Sequence, residues 1–244
     1  ELKILAVVVA LTLITYWGVE PYAHHEMHPP VAPADFAFSD VKESVADVTA
    51  LEGNATSGEA LVTANCTACH SIESKGFPQV MDNASSGSAY GVTPPDLGSA
   101  GKLYNATYLA AFIKDPATAS RVAHKFVDGR AHPMPSYNWM QPQEIADMVA
   151  YLKSIAPKEM TNKEVFTDSC QRCHAIKYAD MKGGSMAAFT PKDDVKHYMG
   201  KLPPDLSQYI KSRGHHYLET FINSPEKHLE GTAMPRVGLN EESQ

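Results

Sequence analysis

Cys66-Thr67-Ala68-Cys69-His70 returns as Cys170-Gln171-Arg172-Cys173-His174, and the two pentads use all four cysteines of the 244-residue chain. C-x-x-C-H is the attachment pattern of a c-type haem. Two thiols add across the vinyl groups of one porphyrin, and the adjacent histidine lies against the iron as its proximal ligand. Two matches with no cysteine to spare imply two covalently attached haem c groups, with His70 and His174 as proximal ligands. A zinc knuckle would need two further ligands close to each pair. A thiol redox site would need a βαβ setting, which neither pair has. Disulfides do not fit either, since all four thiols are committed.

The pentads head two copies of a longer pattern. After the first come Thr93-Pro94-Pro95-Asp96-Leu97, then Tyr108-Leu109-x-x-Phe112-Ile113-Lys114-Asp115-Pro116, then Pro133-Met134-Pro135. After the second come Leu202-Pro203-Pro204-Asp205-Leu206, then Tyr217-Leu218-x-x-Phe221-Ile222-Asn223-Ser224-Pro225, then Ala233-Met234-Pro235. Order and spacing persist with small insertions, which predicts two tandem domains over 56–158 and 159–244.

Met134 and Met234 hold equivalent places, each followed by proline. A thioether is a soft neutral ligand that raises a haem's potential relative to a second histidine, so these two are the expected distal ligands. Met140 competes with Met134 but has no counterpart, because position 240 is asparagine; Met81, Met181, Met186 and Met199 also lack partners. His124, His132, His197, His215, His216 and His228 keep no matched positions, which disfavours bis-histidine ligation. A histidine ligand needs its second nitrogen hydrogen-bonded. A carbonyl in the Pro-Pro-Asp-Leu turns meets that need, which puts Pro95 and Pro204 beside the proximal histidines. Trp139, Arg130 and Arg213 are candidates for propionate contacts.

Leu2 to Val19 is almost wholly apolar, with Lys3 at one end and Tyr16-Trp17 at the other. About 20 such residues cross a bilayer, and aromatic residues favour its interface. No small-x-small cleavage site follows directly, so the reading is a retained anchor over 1–20, not a signal peptide. It is followed by an extended Pro- and His-rich connector within 21–55, whose His24, His25 and His28 suit a lipid interface better than a metal site. Haem attachment takes place outside the cytoplasm, so the domains should face the periplasm. A net charge of −7 argues against nucleic acid as a partner.

The helical pattern is clearest at Pro142 to Ile155, where Ile145, Met148, Val149, Leu152 and Ile155 share a face. Shorter helices are expected at 57–64, 104–114, 161–169 and 217–223, with Thr161 and Glu164 as a capping box, and no substantial sheet. Aligning Met134 with Met234 sets Trp139 on Leu239 and leaves the second unit without a counterpart of the 142–155 helix. The chain is therefore expected to continue beyond Gln244, or to be covered there by a partner subunit. Its start at Glu1 implies a few residues upstream.

Together, Cys66–His70, Pro95-Asp96-Leu97, Met134 and the Tyr151-Leu152 pair in the final helix resemble single-domain class I c-type cytochromes, and Cys170–His174, Pro204-Asp205-Leu206 and Met234 form the second copy. The fold class implied is all-α, with one N-terminal transmembrane helix and two tandem class I cytochrome c domains. The whole chain resembles more narrowly the membrane-anchored dihaem cytochrome c subunit of bc-type quinol:cytochrome c oxidoreductases of Helicobacter- and Campylobacter-like bacteria. The resemblance rests on the run Tyr16-Trp17-Gly18-Val19-Glu20-Pro21-Tyr22-Ala23-His24, the tandem units and the size. It implies residence in the inner membrane, with a cytochrome b subunit and a Rieske iron–sulfur subunit as partners. A terminal oxidase or soluble cytochrome c would be the electron acceptor. Two other functions share the motifs: a membrane-tethered carrier or oxidase subunit, and a dihaem peroxidase. The matched methionines argue against the peroxidase, which needs a vacant coordination position.

Overall fold

The computed structural model describes residues 1–27, 32–90, 92–127, 129, 131–182 and 192–244. Its regular structure is helical. Three isolated β-bridges, Ile72–Phe77, Tyr104–Leu239 and Ile176–Met181, are the extended pairings among the described residues.

The N-terminal apolar run forms α1, Leu2–Met27, 26 residues long and without buried positions, long and apolar enough by length and composition to cross a membrane. Its threonine hydroxyls are satisfied within the helix: Thr12 Oγ1 donates to the Val8 carbonyl and Thr15 Oγ1 to that of Leu11, each at 2.9 Å, which lowers their cost in an apolar setting. The helix does not stop at residue 20, so the extended connector expected from 21 onward is corrected for 21–27. A π turn over Thr15–Val19 falls where Pro21 lacks the N–H that would bind the Trp17 carbonyl. The changed register accommodates the proline.

The rest of the supposed connector is corrected more strongly. Short turns at Ser39–Lys42, Glu43–Val45 and Ala46–Thr49 bury Phe38, Val41, Val45 and Val48, none more than 5% exposed. Their spacing of three, four and three puts them on one helical face, and that face belongs to the core.

Four further helices frame the first pentad and its surroundings. Asn54 caps α2, Ala55–Asn65, by accepting from the N–H groups of Thr56 and Ser57; Asn105 caps α3, Ala106–Lys114, in the same way. These side chains, better acceptors than their neighbours, set starts slightly different from those the hydrophobic pattern suggests. Helix α4, Pro142–Ile155, begins and ends where the sequence predicts, closed by Gln141 and Glu144. Thr161 and Glu164 form the expected capping box on α5, Asn162–Ser169. Helices α2 and α4 make the most extensive contact in the molecule. Gly58 permits it, since a Cβ there would lie 2.0 Å from the Asp147 carbonyl oxygen. Ile145, Met148 and Leu152 on α4 are each no more than 3% exposed; burial of such a side chain is worth about 1.5–3 kcal/mol.

The buried apolar cluster runs from Phe38 to Leu152 and takes no member from beyond α4. The second pentad and α6, His215–Asn223, lie outside it. The C-terminal segment crosses back instead. Asn105 N donates to the Gly238 carbonyl and Asn240 N to that of Leu103, both at 3.0 Å. Leu239 is 2% exposed, whereas Trp139, its expected equivalent, is 65% exposed. The repeat register therefore ends structurally after the second Met-Pro. Gly238, at φ +77°, lies flat on Tyr108, where a Cβ would meet the ring at 1.9 Å.

Candidate functional site

Each pentad is a tight turn at the end of a helix. Cys69 N and His70 N donate to the Cys66 carbonyl at 3.1 and 2.9 Å; Cys173 N and His174 N donate to that of Cys170 at 3.0 and 2.9 Å. The turn brings each cysteine pair and its histidine together. All four thiols are free of disulfides. Burial, reinforced by Cys69, pushes the Cys66 thiol up to about 12, and burial lifts Cys170 to about 11. Reactive redox cysteines have the opposite shift. Among the described residues no group of three His, Cys, Asp or Glu side chains is arranged to hold a bare metal ion.

The histidines are fixed as the sequence predicts. His70 Nδ1 donates to the Pro95 carbonyl at 2.7 Å, and His174 Nδ1 to that of Pro204 at 2.9 Å. That bond sets the tautomer and leaves Nε2, with its lone pair, for a metal. Burial lowers the pKa of both imidazoles, against the opposing pull of the proline carbonyls, so the neutral, ligating form is favoured. Paired thiols outside any disulfide, beside a neutral imidazole with a committed Nδ1, are the donor set a covalent c-type haem requires, and the residues fit that group.

The turns that carry the prolines are also built twice. Leu97 N donates to the Ser71 carbonyl at 2.9 Å, and Leu206 N to that of Ala175 at 2.8 Å. Asp96 accepts from the N–H groups of Glu73 and Gly98 at 2.9 and 2.7 Å; Asp205 accepts from Lys177 and Ser207 at 3.1 and 3.0 Å. Each aspartate thus pins its proline loop to the turn that follows the pentad. Tyr108 and Phe112 stack with centroids 5.8 Å apart, and Tyr217 and Phe221 repeat this at 5.9 Å.

Met134 and Met234 are half-buried, and their loops are held alike. Met134 N donates to His132 Nδ1 at 3.1 Å and Met234 N to Thr232 Oγ1 at 3.2 Å. His132 is thus a support for the methionine loop. The sequence signal is an acceptor two residues before each methionine, in types as different as His and Thr. Burial lowers the His132 pKa, and Nδ1 also lies 3.0 Å from the Met134 carbonyl, so the ring meets both backbone groups of that residue. Tyr137 OH, bonded to the Asn65 carbonyl at 2.8 Å, ties the first methionine loop to the end of α2. Met140 is 6% exposed and sits in the apolar cluster, where it packs.

Of the propionate candidates, Trp139 is exposed beside Tyr137, and Arg213 lies over the Tyr217 ring at 5.6 Å. Arg130 falls outside the described residues, as do Met186 and His28. His216 pairs with Glu219 at 3.5 Å, and His228 packs edge-on against Tyr217 at 5.4 Å.

Residues 55–156 match the family model for cytochrome c. Over 125 residues the chain is 30% identical to a cytochrome c-553-like protein of Synechocystis sp., an alignment that spans 51% of this chain and 91% of that protein. No solved structure matches significantly. The family match contains the first pentad, Pro95, Met134 and α4; the second pentad lies beyond it.

Proposed function

The chain belongs to the cytochrome c family, with the electron-transfer role that family has, and on that premise we propose that it is the dihaem electron-transfer subunit of a membrane-bound quinol:cytochrome c oxidoreductase. The observation that carries the two-haem reading is the duplicated proximal geometry: His70 on the Pro95 carbonyl at 2.7 Å and His174 on that of Pro204 at 2.9 Å. Each rests on an aspartate-pinned loop. Two tandem units, 56–158 and 159–244, follow from that duplication. Helix α1 is the membrane anchor, with the haem units on the periplasmic side. The proposed partners are a cytochrome b and a Rieske iron–sulfur subunit, with a terminal oxidase or soluble cytochrome c as acceptor.

Haem c, when bound, supplies a one-electron couple at its iron. The chain's own residues do the rest. Cys66, Cys69, Cys170 and Cys173 anchor the two groups. His70 and His174 present neutral Nε2 donors because their Nδ1 protons are committed to carbonyls. Met134 and Met234 would supply the second protein ligands, which would leave no position for substrate chemistry and favour outer-sphere electron transfer.

Purification of the tagged subunit in mild detergent tests the reading. A cytochrome b and a Rieske protein should co-purify, and the subunit should carry two haems by haemochrome assay and intact mass. Co-purification with a copper-containing oxidase alone would refute the quinol-oxidising assignment.

A further inference from the structure

Arg172 occupies the second variable position of the second pentad, where the first pentad has Ala68. Haem attachment therefore does not call for an arginine there. Its guanidinium is directed into the other half of the molecule: Nη2 donates to the Thr93 carbonyl at 2.7 Å, and Thr93 is 1% exposed. Thr93 stands two residues before Pro95, whose carbonyl holds His70. A short path of backbone and two hydrogen bonds thus joins the second attachment turn to the first proximal ligand. Tyr104, from the first half, lies within electrostatic reach of Arg172, Cys170 and Asp168. Nε of Arg172 is buried with no hydrogen-bond partner, and among the described residues no carboxylate pairs with the guanidinium. The guanidinium thus sits against the loop whose Pro95 carbonyl holds His70.

We propose that Arg172 is an inter-haem positioning residue, which ties the attachment turn of the second haem to the proximal loop of the first and holds a fixed positive charge behind His70. The inference rests on the two-haem reading above. The step concerned moves one electron from one iron to the other: one is oxidised, the other reduced, and no proton or bond changes place. A fixed spacing between the sites keeps that step fast. A cation behind the first ligand stabilises the reduced state of that site, because reduction lowers the local positive charge.

The test uses the full-length holoprotein in detergent. Haem content is measured first, and Arg172→Gln, Arg172→Lys and Met140→Ala are compared with the parent by spectroelectrochemistry. Met134→Ala identifies the wave of the first haem. Arg172→Gln should move that wave to lower potential and slow electron exchange between the haems after flash reduction. Arg172→Lys, which keeps the charge but loses the planar donor, should shift the wave less while still slowing exchange. Met140→Ala, a packing change, should leave the wave in place. Two haems with an unmoved first wave in Arg172→Gln would overturn the proposal. So would equal shifts in the Gln and Lys variants. A single haem per chain would instead overturn the two-haem reading. Should Arg172→Gln not accumulate, Arg172→Lys alone decides, since unaltered exchange in it refutes the tie to Thr93.

Discussion

Replacing Asp40 by asparagine should separate the parts of the molecule that no shared apolar core joins. Asp40 receives Arg236 Nη1 and Nη2 at 2.8 and 2.9 Å, a bidentate pair, and also binds Arg121. Arg236 is 2% exposed. Its Nε donates to the Asn223 carbonyl at 2.9 Å, and its guanidinium lies 4.9 Å from the centre of the Phe38 ring. The cluster therefore joins the segment after α1, the first half and the C-terminal segment. Burial pushes the Asp40 carboxyl up, but Arg236 and Arg121 outweigh it and bring the pKa from 3.8 down to about 2. A difference of that size is worth roughly 2 kcal/mol, trimmed to about 1–2 kcal/mol because the side chain retains some solvent contact. The substitution also leaves Arg236 with its charge buried and unpaired, and breaking a buried pair costs about 3–5 kcal/mol. We expect Asp40→Asn to destabilise the holoprotein by about 2–4 kcal/mol near neutral pH, read by urea unfolding in mild detergent with far-ultraviolet dichroism. The sign with pH follows from a depressed carboxylate: its stabilisation is complete above the unfolded value near 4 and is lost as pH falls through about 2. The gap between parent and variant should close over that interval. Equal stability near neutrality, or a gap unchanged at about pH 2, would refute the assignment of this cluster as the latch.

Met134→Ala and Met234→Ala should each open one haem to carbon monoxide and lower its potential, with the covalent haem retained. Met140→Ala should cost about 2–5 kcal/mol as a core truncation without opening either haem. Gly238→Ala should lose stability through both the left-handed backbone and the overlap with Tyr108, by about 1–3 kcal/mol on overpacking grounds; unfolding curves with an unchanged midpoint would contradict the docking of residues 236–240. Removal of residues 1–27 behind a cleaved export leader should release a haem-bearing soluble protein, and its persistence in salt-washed membranes would count against α1 as the anchor.

What could be read from the sequence was whatever is local or repeated. The pentads and the choice of Met134 over Met140 rest on local chemistry or on equivalence between copies, and so do the proline carbonyls, which the histidines meet as expected. Helix α4 was legible because its apolar face recurs over four turns. The turns at 39–49 were legible in principle, since Phe38, Val41, Val45 and Val48 carry a helical period, but prolines and histidines just upstream suggested a connector. Arg172 on Thr93 and Arg236 on Asp40 were not legible. Their partners lie 79 and 196 positions away, and nothing in local pattern encodes such a meeting. Residue pairing at that range depends on how the halves dock.

The two halves differ in a way that bears on function. The first closes its own apolar core with α2, α3 and α4. The second presents the same proximal histidine geometry without a helix equivalent to α4 among the described residues, and what it buries from α6 onward is largely polar: Thr220 and Asn223 within α6, then Ser224 and Arg236. Its attachments to the first half are therefore prominent among what holds it. Those attachments are directional: bidentate arginine on Asp40, Tyr108 OH on the Arg236 carbonyl at 2.6 Å, Arg172 on Thr93. Hydrogen bonds and ion pairs fix orientation more tightly than apolar contact of equal area, because each fails within a fraction of an ångström. An electron carrier with two sites gains from that choice, since transfer between them depends steeply on spacing, and a half that could rock on a greasy interface would not keep it. By this reasoning the polar character of the junction suits the two-site relay proposed for this chain.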